Sequence, residues 1–163
     1  MKVFLPTLIV VCLDQLSKLW IKYSFSIYES RNILGDFLRF TYVENPGIAF
    51  GIRIGGFKII VTIISAFIAS YIAYLLYSNK SHDYIENFSL SLILGGAIGN
   101  LIDRIMVYLP NSTYTGVIDF IDIGLFGYRW FIFNIADSAV TIGIIIYLIF
   151  NTLNEYKNKI NNA

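Results

Sequence analysis

Two stretches in the C-terminal third hold the residues with most chemical promise: Val117-Ile118-Asp119-Phe120-Ile121-Asp122 and Phe133-Asn134-Ile135-Ala136-Asp137-Ser138. Both set acids among apolar side chains. A carboxylate loses hydration in such surroundings, so an aspartate placed there is a functional candidate before it is a packing residue. Two that meet would share a proton, because like charges a few ångströms apart do not both ionise cheaply. One charged and one protonated carboxyl can activate a water and protonate a leaving group.

Other chemistries have less to stand on. Cys12 lies in an apolar run and reads as a small buried hydrophobe. One cysteine and one histidine, His82 in a polar loop, do not supply a zinc ligand set, so neither metal nor cofactor is expected. Ser17 and Lys18 are adjacent and point apart, which weakens a serine–lysine hydrolase. The net charge of +1, with no basic tract, argues against a nucleic-acid partner.

The candidate acids must be positioned by membrane elements. The 163 residues are 56% hydrophobic and 14% charged, with a mean hydropathy of +0.66, far from a water-soluble balance. Four segments reach the length a bilayer core requires, at about 4–23, 57–77, 88–109 and 131–150. The expected fold is therefore membrane all-α, with a single domain over 1–163. Lys2 and Ser24-Phe25-Ser26 give the first segment some likeness to a signal peptide, but Asp14 and Lys18 break its core. Four spans put both termini on one side, yet basic residues are more numerous on the other, where Lys22, Arg31, Arg39, Arg53, Lys58 and Arg129 fall. Because long loops follow the positive-inside rule poorly, the charge count leaves orientation open.

The long loop, about 24–56, reads as a small element of short strands. Leu38, Phe40 and Tyr42 alternate with Arg39 and Thr41, and Asn45-Pro46-Gly47 has the composition of a type II turn. Gly51 and Gly55-Gly56 punctuate a second extended stretch, and a further loop covers about 110–130.

Span direction gathers the polar residues. Asp14 and Lys18 lie in the middle and later part of the first span, Asn100, Asp103 and Arg104 in the later half of the third, and Asp137 two turns into the oppositely running fourth. They share one leaflet with Asn45 and Asp119, which predicts one wet pocket open to one side. Asp14 and Lys18, at i,i+4, can neutralise each other. Asp103 and Arg104 diverge by about 100°, so each needs a partner on another element. Asn100 with Asp103, and Asn134 with Asp137 and Thr141, form ladders that would also serve helix pairing. Gly95, Gly96 and Gly99 favour close helix approach.

Taken in order, Asp14-Gln15-Leu16-Ser17-Lys18, Asn45-Pro46-Gly47-Ile48-Ala49-Phe50, Gly95 to Arg104, Val117-Ile118-Asp119-Phe120 and Phe133 to Ser138 resemble the lipoprotein signal peptidases, or signal peptidase II, along nearly the whole chain. The resemblance implies an aspartic endopeptidase of the bacterial inner membrane, multi-pass, with cytoplasmic termini and a pocket at the outer leaflet. It implies cleavage of prolipoproteins just before a diacylglyceryl-modified cysteine, with membrane lipid as neighbour and a monomeric enzyme. The family's catalytic aspartates correspond to Asp119 and Asp137. Its supporting positions correspond to Asp14, Lys18, Asn45, Gly47, Asn100, Asp103, Arg104, Asn134 and Ala136. Asp122 is the nearest decoy: three residues from Asp119 in an extended segment, it points to the opposite face. Two departures stand out. Ile48 replaces the alanine common in the glycine motif, and the connection from Asp103 to Asp119 is longer than in compact members, through Met106 to Gly116.

Two other classes fit buried acids. A proton- or cation-coupled transporter needs access from both sides, and the opposite leaflet offers few polar groups. A non-catalytic assembly factor would use the acids only to pair helices.

Overall fold

A computed structural model describes residues 2–46, 58–78 and 83–161. Gly47, Ile48, the glycines at 51, 55 and 56, and His82 lie outside the described residues. A short 3-10 turn, Lys2–Phe4, leads into α1 (Leu5–Ser24), where Pro6 occupies the first turn, the one place a helix needs no proline N–H. Strands β1 (Ser30–Leu34) and β2 (Leu38–Asn45) follow, then α2 (Lys58–Ser78) and α3 (Tyr84–Met106). Strands β3 (Val117–Leu125) and β4 (Tyr128–Arg129) precede α4 (Ile135–Asn161).

Among the described residues three helices, α2, α3 and α4, are long and apolar enough to cross a membrane, where the sequence reading expects four. The difference lies in α1. It has 20 residues, enough for a bilayer core, but Asp14, Gln15, Lys18 and Lys22 interrupt its apolar run. Cys12 also differs from expectation. It is exposed on α1 rather than buried, because the buried stripe of that helix runs through Thr7, Val10, Asp14, Lys18 and Ile21.

Helix α3 is the hub and packs against α1, α2 and α4. Its glycines permit this, as their spacing predicts. A Cβ at Gly96 would stand 2.3 Å from the Ala136 carbonyl oxygen on α4, and one at Gly99 would stand 2.6 Å from Asp14 Oδ2 on α1. The α3 N-terminus is capped by Asp83, whose Oδ1 accepts from the Ile85 N–H at 2.8 Å.

Strands from both loops form one four-stranded antiparallel sheet in the order β1-β2-β3-β4. The alternation at Leu38, Phe40 and Tyr42 is thus a real strand, but its main partner comes from the second loop: Val43 lies opposite Asp119 and Asn45 opposite Val117. The sheet's core joins the end of α1, with Ile21 and Phe25 buried against Tyr42, Ile118 and Phe120. Edge-to-face ring contacts run from Phe25 through Trp20 and Phe40 to Phe120.

The connection after α3 is anchored rather than loose. Glu44 Oε2 accepts from the backbone N–H and the hydroxyl of Thr115, both at 2.6 Å, while Lys22 Nζ reaches Glu44 Oε1 at 2.7 Å and the Thr113 carbonyl at 3.2 Å. Burial pushes the Glu44 carboxyl up, but the hydrogen bonds from Lys22, Thr115 and Tyr42 outweigh it and hold the group below the usual carboxylate range.

Substituting Gly96→Val is expected to force α3 and α4 apart, since the new Cβ meets backbone rather than a flexible side chain. Overpacking of this kind costs about 1–3 kcal/mol, which thermal unfolding in detergent would register as a lowered Tm.

Candidate active site

The buried polar network is built around one ammonium. Lys18 Nζ donates to Asp14 Oδ2 at 2.8 Å, Asp103 Oδ2 at 2.9 Å and Asn100 Oδ1 at 3.0 Å, which uses all three of its N–H groups. Lys18 is 1% exposed and Asp14 is fully buried. The predicted pairing of Asp14 with Lys18 is present, and Asp103 finds the cross-helix partner its position demanded. Gln15 Nε2 bridges Asp14 Oδ2 and Asp103 Oδ1, each at 3.2 Å, and the Gly99 carbonyl at 3.1 Å. Its place in this network was not legible in the sequence; the one available signal was its position within the Asp14 to Lys18 motif.

The two carboxylates beside Lys18 each hold a backbone N–H of another element. Asp14 Oδ1 accepts from Ala136 at 2.9 Å, and Asp103 Oδ2 accepts from Ile118 at 3.0 Å. These two bonds fix the start of α4 and the start of β3, the elements that carry Asp137 and Asp119.

Asp137 sits in the first turn of α4, not two turns into it, because the helix begins at Ile135. The pair Asn134 and Asp137 is therefore a capping box rather than a ladder on a helix face. The Asp137 N–H donates to Asn134 Oδ1 at 2.9 Å, and the Asn134 N–H donates to Asp137 Oδ2 at 3.2 Å. Backbone N–H groups at a helix N-terminus favour negative charge. Asn100 Nδ2 adds a further donor to Asp137 Oδ1 at 2.7 Å. The amide orientation of Asn100 is dictated by Lys18, since only its oxygen can accept from an ammonium.

Asp119 lies beside this group and is 4% exposed. Asn134 Nδ2 donates to Asp119 Oδ1 at 2.6 Å, and Asn45 Nδ2 to Asp119 Oδ2 at 3.1 Å. Burial, and after it the negative charge of Asp137, push the Asp119 carboxyl up to about 7, against the opposing hydrogen bonds of Asn45 and Asn134 and the charge of Lys18. Arg104 faces the charges of Asp137, Asp119 and Asp103, and its buried Nε has no hydrogen-bond partner among the described residues.

The structure thus brings together Asp14, Lys18, Asn45, Asn100, Asp103, Arg104, Asp119, Asn134, Ala136 and Asp137. It leaves Asp122 out. That side chain is also buried, but it accepts from Arg129 Nε at 2.7 Å and Thr41 Oγ1 at 2.9 Å and belongs to a separate ion pair. Thr141 is likewise apart, its hydroxyl donating to the Asp137 carbonyl on an exposed surface. Among the described residues no group of three histidine, cysteine or acidic side chains is placed to hold a metal ion.

The model of the family described as signal peptidase (SPase) II matches residues 6–153. The chain belongs to the signal peptidase II family. A lipoprotein signal peptidase of Psychromonas ingrahamii is 42% identical over 143 residues, covering 86% of this chain and 78% of that protein. Another, from Syntrophomonas wolfei, is 43% identical over 143 residues, covering 87% of each. A solved bacterial membrane enzyme superposes with a TM-score of 0.82 at 34% identity, covering 97% of this chain and 91% of that one. Family membership and the apolar helices make the chain a bacterial membrane peptidase.

In this signal peptidase II chain the ammonium is the most exacting element, and Lys18→Met tests it. The substitution leaves Asp14 and Asp103 buried without their cation, and breaking a buried pair in this way costs about 3–5 kcal/mol. Denaturation of the purified variant in detergent should show that loss directly.

Proposed function

We propose that Asp119 and Asp137 are the catalytic pair with which this peptidase removes signal peptides from prolipoproteins. The observation that carries the reading is their shared environment: a buried Asp119 and a half-buried Asp137 joined through Asn134, Asp137 held at a helix N-terminus and Asp119 raised toward neutrality beside it. Asp137, with two N–H donors on its oxygens, is the charged member and takes a proton from the attacking water. Asp119 holds a proton at rest and delivers it to the scissile carbonyl oxygen; as the resulting gem-diol collapses, a hydroxyl returns that proton to Asp119 and Asp137 passes the proton it took from water to the departing amine.

The supporting residues keep the pair in register. Asn45, Asn100 and Asn134 fix the four carboxylate oxygens, while Asp14, Lys18, Asp103 and Ala136 set the elements that carry them. Arg104 supplies positive charge beside the pair, and Gly47, outside the described residues, is assigned to the pocket from the family pattern. Substrate is cleaved before a diacylglyceryl-modified cysteine whose acyl chains stay in the bilayer while the peptide reaches the pair from the side. The chain acts as one unit over 1–163 and as a monomer. Helix α1 crosses the bilayer with the other three, its Asp14 and Lys18 buried against α3 and its Lys22 paired with Glu44 of β2. In this reading the chain lies in the inner membrane, termini are cytoplasmic, and the site faces the outer leaflet.

Asp119→Asn and Asp137→Asn should each abolish cleavage of a lipid-modified precursor while the protein stays folded in membranes. Substantial turnover by either variant would sink the assignment. An unmodified precursor should remain uncut by the unaltered peptidase, and equal cleavage of both precursors would count against recognition of the lipid.

The pH dependence follows from Asp119. Its folded value of about 7 lies above the ordinary 3.8, so its proton is held below neutrality and lost as pH rises through about 7. The kcat/KM profile should fall on that basic limb. Because the Asn45 hydrogen bond favours ionised Asp119, Asn45→Ala should move the limb to higher pH; movement to lower pH would contradict the assignment of the proton to Asp119.

A further inference from the structure

The end of the sheet remote from Asp119 is unusually apolar for a surface. Two turns meet there. Leu38 pairs with Ile123, the Gly124 N–H donates to the Phe37 carbonyl at 2.8 Å, and Arg129 Nη1 donates to the Asp36 carbonyl at 3.0 Å. The β1–β2 turn and the β3–β4 turn therefore form one tip. Its outermost side chains are Leu34, Phe37, Leu125, Phe126, Tyr128 and Trp130, all exposed, with Phe126 at 91% and Trp130 at 67%. Two ion pairs flank them, Arg39 with Asp36 at 2.6 Å, whose carboxylate stays exposed, and Arg129 with the buried Asp122 at 2.7 Å.

Phe126 makes the point sharpest. It connects β3 to β4 in a two-residue turn with Gly127, at φ of 50° and 83°. That left-handed conformation suits Asn, Asp or Gly and is an outlier for a bulky side chain. A phenylalanine there carries both backbone strain and an apolar ring in water, and nothing within the described residues offsets either.

We infer that this tip is a lipid-contacting surface, sunk into the membrane interface on the side where the sheet joins α1 and α4. Continuity with the membrane-facing surface selects lipid over a protein partner. Phe133 bridges back to Ile121 and α4 begins two residues later, so the segment after β4 that carries Trp130 and Phe131 leads directly into a candidate span. On the other flank, Trp20 lies a full turn inside α1, is half exposed beside Leu16 and Leu19, and still stacks edge-on against Phe40 of β2. The sheet therefore hugs α1 below the helix end, at the depth where Trp and Tyr rings settle between water and acyl chains. An exposed patch of this kind marks an interaction site. The inference takes from the proposed function only that α1 and α4 cross the bilayer, and its test does not read cleavage.

The chain has two tryptophans, so Trp20→Phe leaves Trp130 as sole reporter. Reconstituted in phosphatidylcholine–phosphatidylglycerol vesicles whose acyl chains are brominated near the headgroup, Trp130 emission should drop by about twofold or more against unbrominated vesicles, as expected for an indole at the interface. It should also resist aqueous acrylamide. Adding Phe126→Asp should weaken the bromolipid quenching and restore acrylamide access. Emission indifferent to bromolipid and fully open to acrylamide would overturn the inference. So would a blue shift that grows with the protein-to-lipid ratio and ignores bromolipid, since a second copy would then cover the tip.

Discussion

The buried ammonium of Lys18 is the constraint on which the rest of the arrangement depends. Each of its three N–H groups ends on a different side chain, Asp14, Asp103 or Asn100, and each of those passes the constraint to another element. Asp14 holds the first turn of α4 through Ala136, Asp103 holds the start of β3 through Ile118, and Asn100 holds Asp137 directly. In a dry interior an ammonium without partners is prohibitive, so the three acceptors cannot drift without exposing that cost. One cation thus sets the relative placement of α1, α3, β3 and α4.

That frame explains how two carboxyls of one type acquire different characters. Four carboxylates, Asp14, Asp103, Asp119 and Asp137, face two cations, Lys18 and Arg104. The surroundings of Asp119 and Asp137 differ. Asp137 lies at a helix N-terminus within a capping box, whereas Asp119 lies on a strand, deeply buried, with Asp137 as its close negative neighbour. The asparagine between them serves both, capping α4 through its oxygen and binding Asp119 through its nitrogen.

The membrane accounts for how little protein is needed. Glycines on α3 bring the helices close enough for Asp14 to reach the start of α4. A four-stranded sheet closes the site from one side, stapled to α1 by Lys22 and Glu44. The same staple holds the long segment before Gly116, whose Cα lies so close to β2 that a Cβ would stand 2.2 Å from the Asn45 carbonyl oxygen. The register puts Asp119 opposite Val43.

Read alone, the sequence determined the apolar helices, the alternating strand at Leu38 to Tyr42, the i,i+4 pair of Asp14 and Lys18, and the gathering of polar residues toward one end of the bundle. These follow from local period and span direction, which a linear chain displays. The ordered motifs also placed it in its family. Only the tertiary structure decided that β2 pairs with β3 from the other loop, that Asn134 and Asp137 form a capping box instead of a ladder, and that Gln15 joins the network. It also showed that Asp122 is taken up by Arg129, and that Asp14 and Lys18 of α1 are buried against α3. The physical reason is the same in each case. A hydrogen bond or ion pair is made by distance and direction in space, and partners as far apart in the chain as Asp14 and Ala136 leave no mark in local spacing.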